Sequence, residues 1–340
     1  MAEAGLLLLA FLVPLISVLV LMPPFLRYLT RAGRVVDDVH KSPPTKVPNP
    51  AGPVIFLGAI AGEVFASLAF GSLIPLAVAA STAVAFAIGL ADDLYVLGAK
   101  TKPILLLLAA LPLVVLVLVQ PDIYQSVLVF PVLGATSEHF TIYSALVVLA
   151  FPVVANAFNM MDSFNGQISG FALLTSSALL FGVVLHAAFA EGFSFAHIAA
   201  ALPLVAVSAG FLAFNWLPSK AFDGDSGSLM LGAMYAALAV TGGVEIAAIV
   251  AILPAILNSF YTLSSVRGFV ERRKMRARPT YIGEDSRLYA SSDPQAPATL
   301  VRMLLLDGPM TESQLVRAVL TLTLIACLLS ALTSLMTWVF

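Results

Sequence analysis

The chain has 340 residues, of which 60% are hydrophobic and only 11% are charged, and its mean hydropathy is +1.00. Soluble domains carry about 25% charged residues, so this composition excludes an ordinary soluble protein and predicts an integral membrane protein. The single cysteine, Cys327, lies in an apolar run, which excludes a disulfide framework and a thiolate metal site. The net charge of −2 says nothing about partners.

Apolar segments long enough to span a bilayer recur along the whole chain, since a spanning helix needs about 20 apolar residues. The first segment lacks a basic region before it and a cleavage site after it, so we expect a retained helix with its amino end outside. The stretch 121–140 is too polar to span, and its alternating valines predict a short external β-hairpin or surface loop. About ten transmembrane helices are predicted, at 5–29, 52–71, 73–91, 103–120, 141–158, 167–189, 196–215, 226–241, 243–266 and 317–338.

The basic residues give this all-α arrangement an orientation. All 17 Lys and Arg residues lie in alternate loops or at the helix ends that border them, and the loops on the other side contain none. Because basic residues favour the cytoplasmic side, we expect both chain ends outside and an active site on cytoplasmic loops. We predict one polytopic domain over 1–340, with a cytoplasmic subregion at 267–316. The cytoplasmic loops are 30–51, 92–102, 159–166, 216–225 and 267–316.

A polar stretch at 156–166 separates two apolar runs. Its Asn156, Asn159, Asp162 and Asn165 recur at steps of three residues, so their oxygens can converge on a cation or a polar ligand where a helix breaks. Asn, Ser and Gly also cap ordinary helix ends, so this stretch alone leaves both interpretations open.

Two acidic clusters lie on the same predicted side. Asp92 and Asp93 are adjacent carboxylates at a membrane surface, a costly pair unless it binds a cation or accepts a proton; the alternative is a solvated helix end. Asp223 and Asp225 alternate with Gly and Ser, a pattern that suits Mg²⁺ because this ion prefers oxygen ligands; the alternative is a capped turn. An EF-hand is excluded because Met234 stands where its last glutamate would be.

Two basic loops complete the set of polar features. Lys41 and Lys46 lie in a proline-rich loop that would also serve as a simple topology signal. A basic run that includes Arg276 and Arg278 opens the long loop, where it would face anionic lipid or bind a diphosphate. The carboxylates gather at one interface rather than at mid-membrane, which favours chemistry at that face over ion-coupled transport.

In their order along the chain, these clusters resemble the motifs of the polyprenyl-phosphate N-acetylhexosamine-1-phosphate transferase family. Residues 89–93 (Gly-Leu-Ala-Asp-Asp) resemble its aspartate pair, and Lys102 falls where its phosphate-binding lysine follows. Residues 159–166 resemble its Asn-x-x-Asp-Gly-x-Asp/Asn-Gly motif. Asn215 and the run 224–228 resemble its metal-binding segment, so the resemblance covers nearly the whole chain.

The branch of the family is marked by fewer residues. Residues 38–41 and 46–48 resemble segments of the eukaryotic and archaeal dolichyl-phosphate GlcNAc enzymes, and Asn165 points the same way. Asp162 is the residue typical of bacterial members, and Ser163 replaces the usual glycine. The triple-histidine segment of the peptidoglycan enzyme is absent, which argues against a MurNAc-pentapeptide substrate.

The resemblance implies transfer of N-acetylhexosamine-1-phosphate, with GlcNAc-1-phosphate expected first, from a UDP-sugar to a polyprenyl or dolichyl phosphate. UMP leaves, and the lipid diphosphate sugar begins glycan assembly for N-glycosylation or a cell-surface glycan. The alternatives are another UDP-linked sugar phosphate for cell-wall precursors, or a secondary transporter. The signature of a CDP-alcohol phosphotransferase is absent.

The resemblance also implies residue roles at the cell membrane. Mg²⁺, with Mn²⁺ as a substitute, is expected on Asn159 and Asp225, and the expected catalytic residues are Asp92, Asp93 and Lys102. UDP-N-acetylhexosamine, the lipid phosphate and the bilayer are the expected partners; a homodimer stays open, and no nucleic acid is expected. The expected substrate-binding residues are Lys41, Lys46, Asn156, Asp162, Asn165, Gly166, Asn215, Arg276 and Arg278.

Overall fold

Helices make up most of this computed structural model, which describes residues 2–41, 43–120, 127–131, 134–137, 140–189, 194–268, 275 and 277–339. A short 3-10 helix, Leu107–Ala110, joins α4 (Thr101–Leu106) to α5 (Leu111–Val119). The other helices are α1 Ala2–Arg31, α2 Gly52–Phe70, α3 Ile74–Tyr95, α6 Phe140–Met161, α7 Gln167–Phe189, α8 Phe195–Asn215, α9 Gly224–Thr241, α10 Glu245–Ala251, α11 Leu253–Ser265, α12 Leu300–Leu304 and α13 Glu312–Trp338.

Eight helical segments in the described part of the chain are long and apolar enough to cross a membrane, and a bent pair raises the number to nine. A mostly helical fold with several helices able to span a membrane is therefore confirmed, but the predicted count of ten is not. The predicted segment 226–241 does form α9, but its polar first turn lowers its hydropathy. The predicted segment 243–266 is broken, because α10 and α11 meet at 66° just before Pro254, which cannot continue the hydrogen-bonding pattern of a helix.

Helix α9 forms the centre of the bundle. Every residue from Ser226 to Thr241 is buried, and α9 packs chiefly against α3 and α6. A Cβ atom at Gly89 of α3 would lie 2.4 Å from the Asp225 carbonyl oxygen, and one at Gly52 of α2 would lie 2.2 Å from Ser226 Oγ. Only glycine permits such close approach, and the contacts bring the ends of α2 and α3 to the start of α9.

Within the described residues, three antiparallel hairpins add a small amount of β structure to the predicted all-α fold. The predicted hairpin within 121–140 is present as two strands, and the other two hairpins lie in loops for which no strand was predicted. The hairpin β5–β6 packs on the helices through Leu288. The strands are β1 Val35–Asp38, β2 Thr45–Pro48, β3 Val127–Phe130, β4 Gly134–Ser137, β5 Thr280–Ile282 and β6 Leu288–Ala290.

Candidate active site

A cluster of charged side chains forms where α3, α4 and α9 meet. Lys102 Nζ lies 2.7 Å from Asp92 Oδ2 and 2.7 Å from Asp225 Oδ2, so one ammonium group bridges two carboxylates. The Asp92 side chain is 10% exposed, whereas that of Asp225 is 30% exposed and open to a ligand. The net charge of the three side chains is negative, so the cluster can take up a cation beside an anionic substrate.

The adjacent Asp93 has a different environment. Its Oδ1 accepts a hydrogen bond from the Asp225 N–H at 2.9 Å, and its Oδ2 accepts one from the Ser226 N–H at 3.0 Å. These are two of the N–H groups that the first turn of a helix leaves without an intrahelical partner. Asp93 therefore caps α9 from a neighbouring helix and fixes the backbone that carries Asp225.

Asp225 and Asn159 are the residues that could hold a divalent cation. Asn159 Nδ2 lies 2.6 Å from Asp225 Oδ1 and 2.8 Å from Ser228 Oγ. A half-turn of the amide would present its oxygen instead, because the nitrogen and oxygen exchange places. The described residues contain no group of three or more His, Cys, Asp or Glu suited to a metal. Mg²⁺ is commonly bound by one or two carboxylates with substrate phosphates and water, and one carboxylate with one amide oxygen fits that mode.

A second polar group joins the β1–β2 hairpin, the α6–α7 loop and α13. Asn165 Nδ2 donates to Asp38 Oδ2 at 2.9 Å, and the Asn165 N–H donates to Glu312 Oε1 at 3.2 Å. Lys41 Nζ donates a short hydrogen bond to Glu312 Oε2 and lies 3.8 Å from Asp38 Oδ2. Two predicted substrate-binding residues, Lys41 and Asn165, therefore belong to one hydrogen-bonded group.

Asn215 fixes the loop between α8 and α9. Its Oδ1 accepts hydrogen bonds from the Gly166 N–H at 3.2 Å and Ser169 Oγ at 2.7 Å, and its Nδ2 donates to the Ala221 carbonyl at 3.0 Å. Gly166 has φ +78°, and a Cβ atom there would lie 2.8 Å from the Trp216 ring. Asn215 is buried, so in this arrangement its amide orders two loops.

The carboxyl groups of Asp162 and Asp223 lie close together beside this loop. Asp223 is fully buried, and no donor among the described residues reaches either carboxylate oxygen. Burial, and secondarily the charge of Asp162, hold the pKa of Asp223 well above its usual range. Asp223 was predicted only as part of an acidic pair with Asp225, yet the two side chains have opposite environments.

The remaining predicted residues lie outside these two clusters. Asn156 Nδ2 donates to the Pro152 carbonyl at 2.7 Å on its own helix. Lys46 is exposed in β2, opposite Asp37. Arg278 is exposed just before β5, and Arg276 is outside the described residues.

Sequence reasoning missed Glu312, which contacts Lys41 and Asn165 across 271 and 147 residues of chain. A carboxylate at the start of an apolar helix is common, so its position carried no signal. Asp38 was included only as part of a motif. His40 stacks on Phe164 with ring centroids 4.2 Å apart, a contact that no sequence pattern indicated.

Comparison with known proteins now identifies the family. The profile of glycosyl transferase family 4 matches residues 75–243. The chain is 26% identical to a putative UDP-N-acetylglucosamine–dolichyl-phosphate N-acetylglucosaminephosphotransferase from Saccharolobus solfataricus, over 68% of this chain and 70% of the relative. It is 28% identical to a probable undecaprenyl-phosphate N-acetylglucosaminyl 1-phosphate transferase from Bacillus subtilis, over 68% of this chain and 62% of the relative.

The chain is also 30% identical to a phospho-N-acetylmuramoyl-pentapeptide-transferase from Bacillus cytotoxicus, over 71% of this chain and 76% of the relative. The profile match contains the whole cluster around Asp92, Lys102, Asn159 and Asp225. The resemblance of the sequence motifs is thereby confirmed, and the chain belongs to glycosyl transferase family 4.

Proposed function

We propose that the protein transfers GlcNAc-1-phosphate from UDP-GlcNAc to a polyprenyl phosphate. An oxygen of the lipid phosphate forms a bond to the β-phosphorus, the bond from that phosphorus to the bridging oxygen breaks, and UMP leaves with its electron pair. The names of the archaeal and Bacillus subtilis relatives support the sugar and the class of lipid. The observation that carries the proposal is the bridge of Lys102 between Asp92 and Asp225.

Asp92 is the residue best suited to act on the lipid phosphate. Its Oδ1 accepts a short hydrogen bond from the Leu97 N–H, and its Oδ2 faces Lys102, whereas both oxygens of Asp93 are used by N–H groups of α9. A carboxylate within hydrogen-bond reach of the attacking phosphate can hold or accept its proton. Asp92 therefore orients or deprotonates the lipid phosphate, and Asp93 holds the backbone of Asp225 in position.

Lys102 neutralises the charge that gathers during transfer. Both substrates are anionic, and in the free protein the ammonium group is shared by two carboxylates at equal distances of 2.7 Å. Lysine has three N–H donors, so one can turn to a phosphate oxygen while the others keep their contacts. Removing one such electrostatic group costs about 10²–10³-fold in rate.

Asp225 and Asn159 would hold Mg²⁺ at this site, as their exposed carboxylate and adjacent amide support. The bound cation would supply charge neutralisation on the diphosphate of the sugar nucleotide. Ser228 Oγ lies 2.8 Å from the Asn159 amide and can hydrogen-bond it in either orientation, because a hydroxyl both donates and accepts, and Asp93 holds the Asp225 backbone. Ser228 and Asp93 therefore keep the two metal-binding side chains in place before a substrate binds.

The lipid chain is expected to approach along the end of α3. Leu94, Tyr95 and Val96 follow the aspartate pair and are 44%, 79% and 43% exposed, although all three are apolar or aromatic. Exposed apolar side chains next to a charged cluster suit a lipid whose phosphate enters the cluster while its tail stays in the bilayer. The basic residues near the cluster support a cytoplasmic site, where nucleotide sugars are available.

The test is an assay of the purified chain in detergent with polyprenyl phosphate, Mg²⁺ and radiolabelled nucleotide sugars. We expect lipid-extractable label and stoichiometric UMP from UDP-GlcNAc and little from UDP-GalNAc or UDP-MurNAc-pentapeptide. The Asp92→Asn variant should form product from UDP-GlcNAc about 10²–10³-fold more slowly. Equal or preferred use of UDP-MurNAc-pentapeptide would overturn the sugar assignment. Uptake of a solute into vesicles without UMP release would overturn the reaction class.

A further inference from the structure

Glu312 is a half-buried acidic residue that the proposed reaction has not used. It is the first residue of α13, and its side chain is 9% exposed. Thr311 and Gln314 form a reciprocal capping box at this helix end, which fixes the backbone of the first turn. The positive end of the helix dipole also favours a carboxylate here, so the position of Glu312 is well defined.

The two carboxylate oxygens of Glu312 accept hydrogen bonds from two different segments of the chain. Oε2 accepts the short hydrogen bond from Lys41 Nζ, and Oε1 accepts the Asn165 N–H at 3.2 Å. Asn165 in turn donates from its side chain to Asp38 at 2.9 Å. Two segments that are far apart in sequence, the β1–β2 hairpin and the α6–α7 loop, are therefore joined through one carboxylate on a third.

The charge of Glu312 keeps the Lys41 ammonium group at a position where a ligand can reach it. The Lys41 side chain is 28% exposed, so its ammonium group can meet a ligand while Glu312 holds it. Asp38 lies farther from the ammonium, at 3.8 Å, and already accepts from Asn165. Without Glu312, Lys41 would lose its nearest anionic partner, and the Asn165 N–H would lose its acceptor.

We infer that Glu312 is a positioning residue, which holds Lys41 and the turn at Asn165 in the arrangement that binds the phosphates and nucleoside of the sugar nucleotide. The inference rests on the proposed function for the identity of the ligand. The contacts of Glu312 with Lys41 and Asn165 are independent of the proposed function, because they join groups of the protein itself.

The test compares Glu312→Gln and Glu312→Ala with Glu284→Gln, a matched removal of an exposed carboxylate from the same loop region. Glu312→Gln keeps an acceptor for the Asn165 N–H but removes the charge that pairs with Lys41. We expect kcat/KM for UDP-GlcNAc to fall by about 10- to 100-fold in Glu312→Ala, chiefly through KM, because a charged hydrogen bond is lost. KM for the lipid phosphate should stay unchanged, as should both parameters in Glu284→Gln.

A double-mutant cycle tests whether Glu312 acts through Lys41. Adding Glu312→Gln to Lys41→Met should cause no further loss, because the charge that Glu312 positions is already gone. Additive losses, or an equal rise in KM for both substrates, would overturn the positioning role.

A second readout keeps the inference separate from the reaction. Amide hydrogen exchange of the peptide that contains Asn165 should be faster in Glu312→Ala than in the unaltered chain, with no substrate present. If the unaltered chain shows no transfer from UDP-GlcNAc, the proposed function fails, whereas unchanged exchange at this peptide refutes the inference itself.

Discussion

The two neighbouring aspartates give the sharpest prediction. Asp93→Ala removes the acceptor of two backbone N–H groups, at 2.9 and 3.0 Å. Asp92→Asn keeps an oxygen that can accept from the Leu97 N–H and removes the charge that faces Lys102. Loss of a helix cap costs about 0.5–2 kcal/mol, and a hydrogen bond to a charged group contributes about 1.5–3 kcal/mol. We therefore expect Asp93→Ala to lose about 2–4 kcal/mol of stability, and Asp92→Asn to remain near the stability of the unaltered chain.

The assay is thermal unfolding of each purified variant in detergent, with transferase rates measured well below the unfolding midpoint. Asp92→Asn should lose about 10²–10³-fold in kcat with an unchanged midpoint, as expected for a group that contacts the reacting phosphate. Asp93→Ala should show a clearly lower midpoint. Equal losses of rate at equal midpoints would refute the separation of roles. Mild, equal effects would favour the alternative interpretation, in which both aspartates simply lie at a solvated helix end.

Three further predictions address the metal, a buried acid and the topology. Asp225→Asn should abolish Mg²⁺-dependent turnover while the protein stays folded, and near-normal activity at low Mg²⁺ would contradict the metal assignment. Glu63 is fully buried in α2 with no hydrogen-bond partner among the described residues, so Glu63→Leu should preserve activity and equal or exceed the original thermal midpoint; lost activity would reveal a function. In a Cys327→Ser background, a cysteine at Ser194 should react with an impermeant maleimide from outside and one at Ser286 should not; the reverse labelling would refute the predicted orientation.

The sequence predicts the helices well because apolar runs bounded by glycine, proline or polar residues leave few alternatives. Each of the ten predicted segments contains helix, but span length does not reveal the bend beside Pro254. It also does not separate a lipid-facing helix from α9, which is buried on all sides. Hydropathy reports transfer into an apolar environment and does not distinguish lipid from protein.

The candidate site is predictable in part for a similar reason. Residues such as Lys102 and Asp225 belong to local motifs, and a shared membrane face limits where they can meet. The different roles of Asp92 and Asp93 depend on the crossing of α3 and α9, since successive residues on a helix point about 100° apart. The role of Glu312 depends on long-range folding, which brings α13 to a loop 271 residues away.

The burial of α9 has a consequence for how the bilayer can influence the enzyme. Membranes that are thicker or thinner than a helix requires are accommodated by tilt of the segments that touch lipid. Because the residues from Ser226 to Thr241 are shielded by other helices, such tilting acts first on the periphery and reaches Asp225 through the helices that pack on α9, chiefly α3 and α6. The spacing of the reactive groups should therefore vary little between membranes of different thickness, while entry of the lipid substrate varies with them.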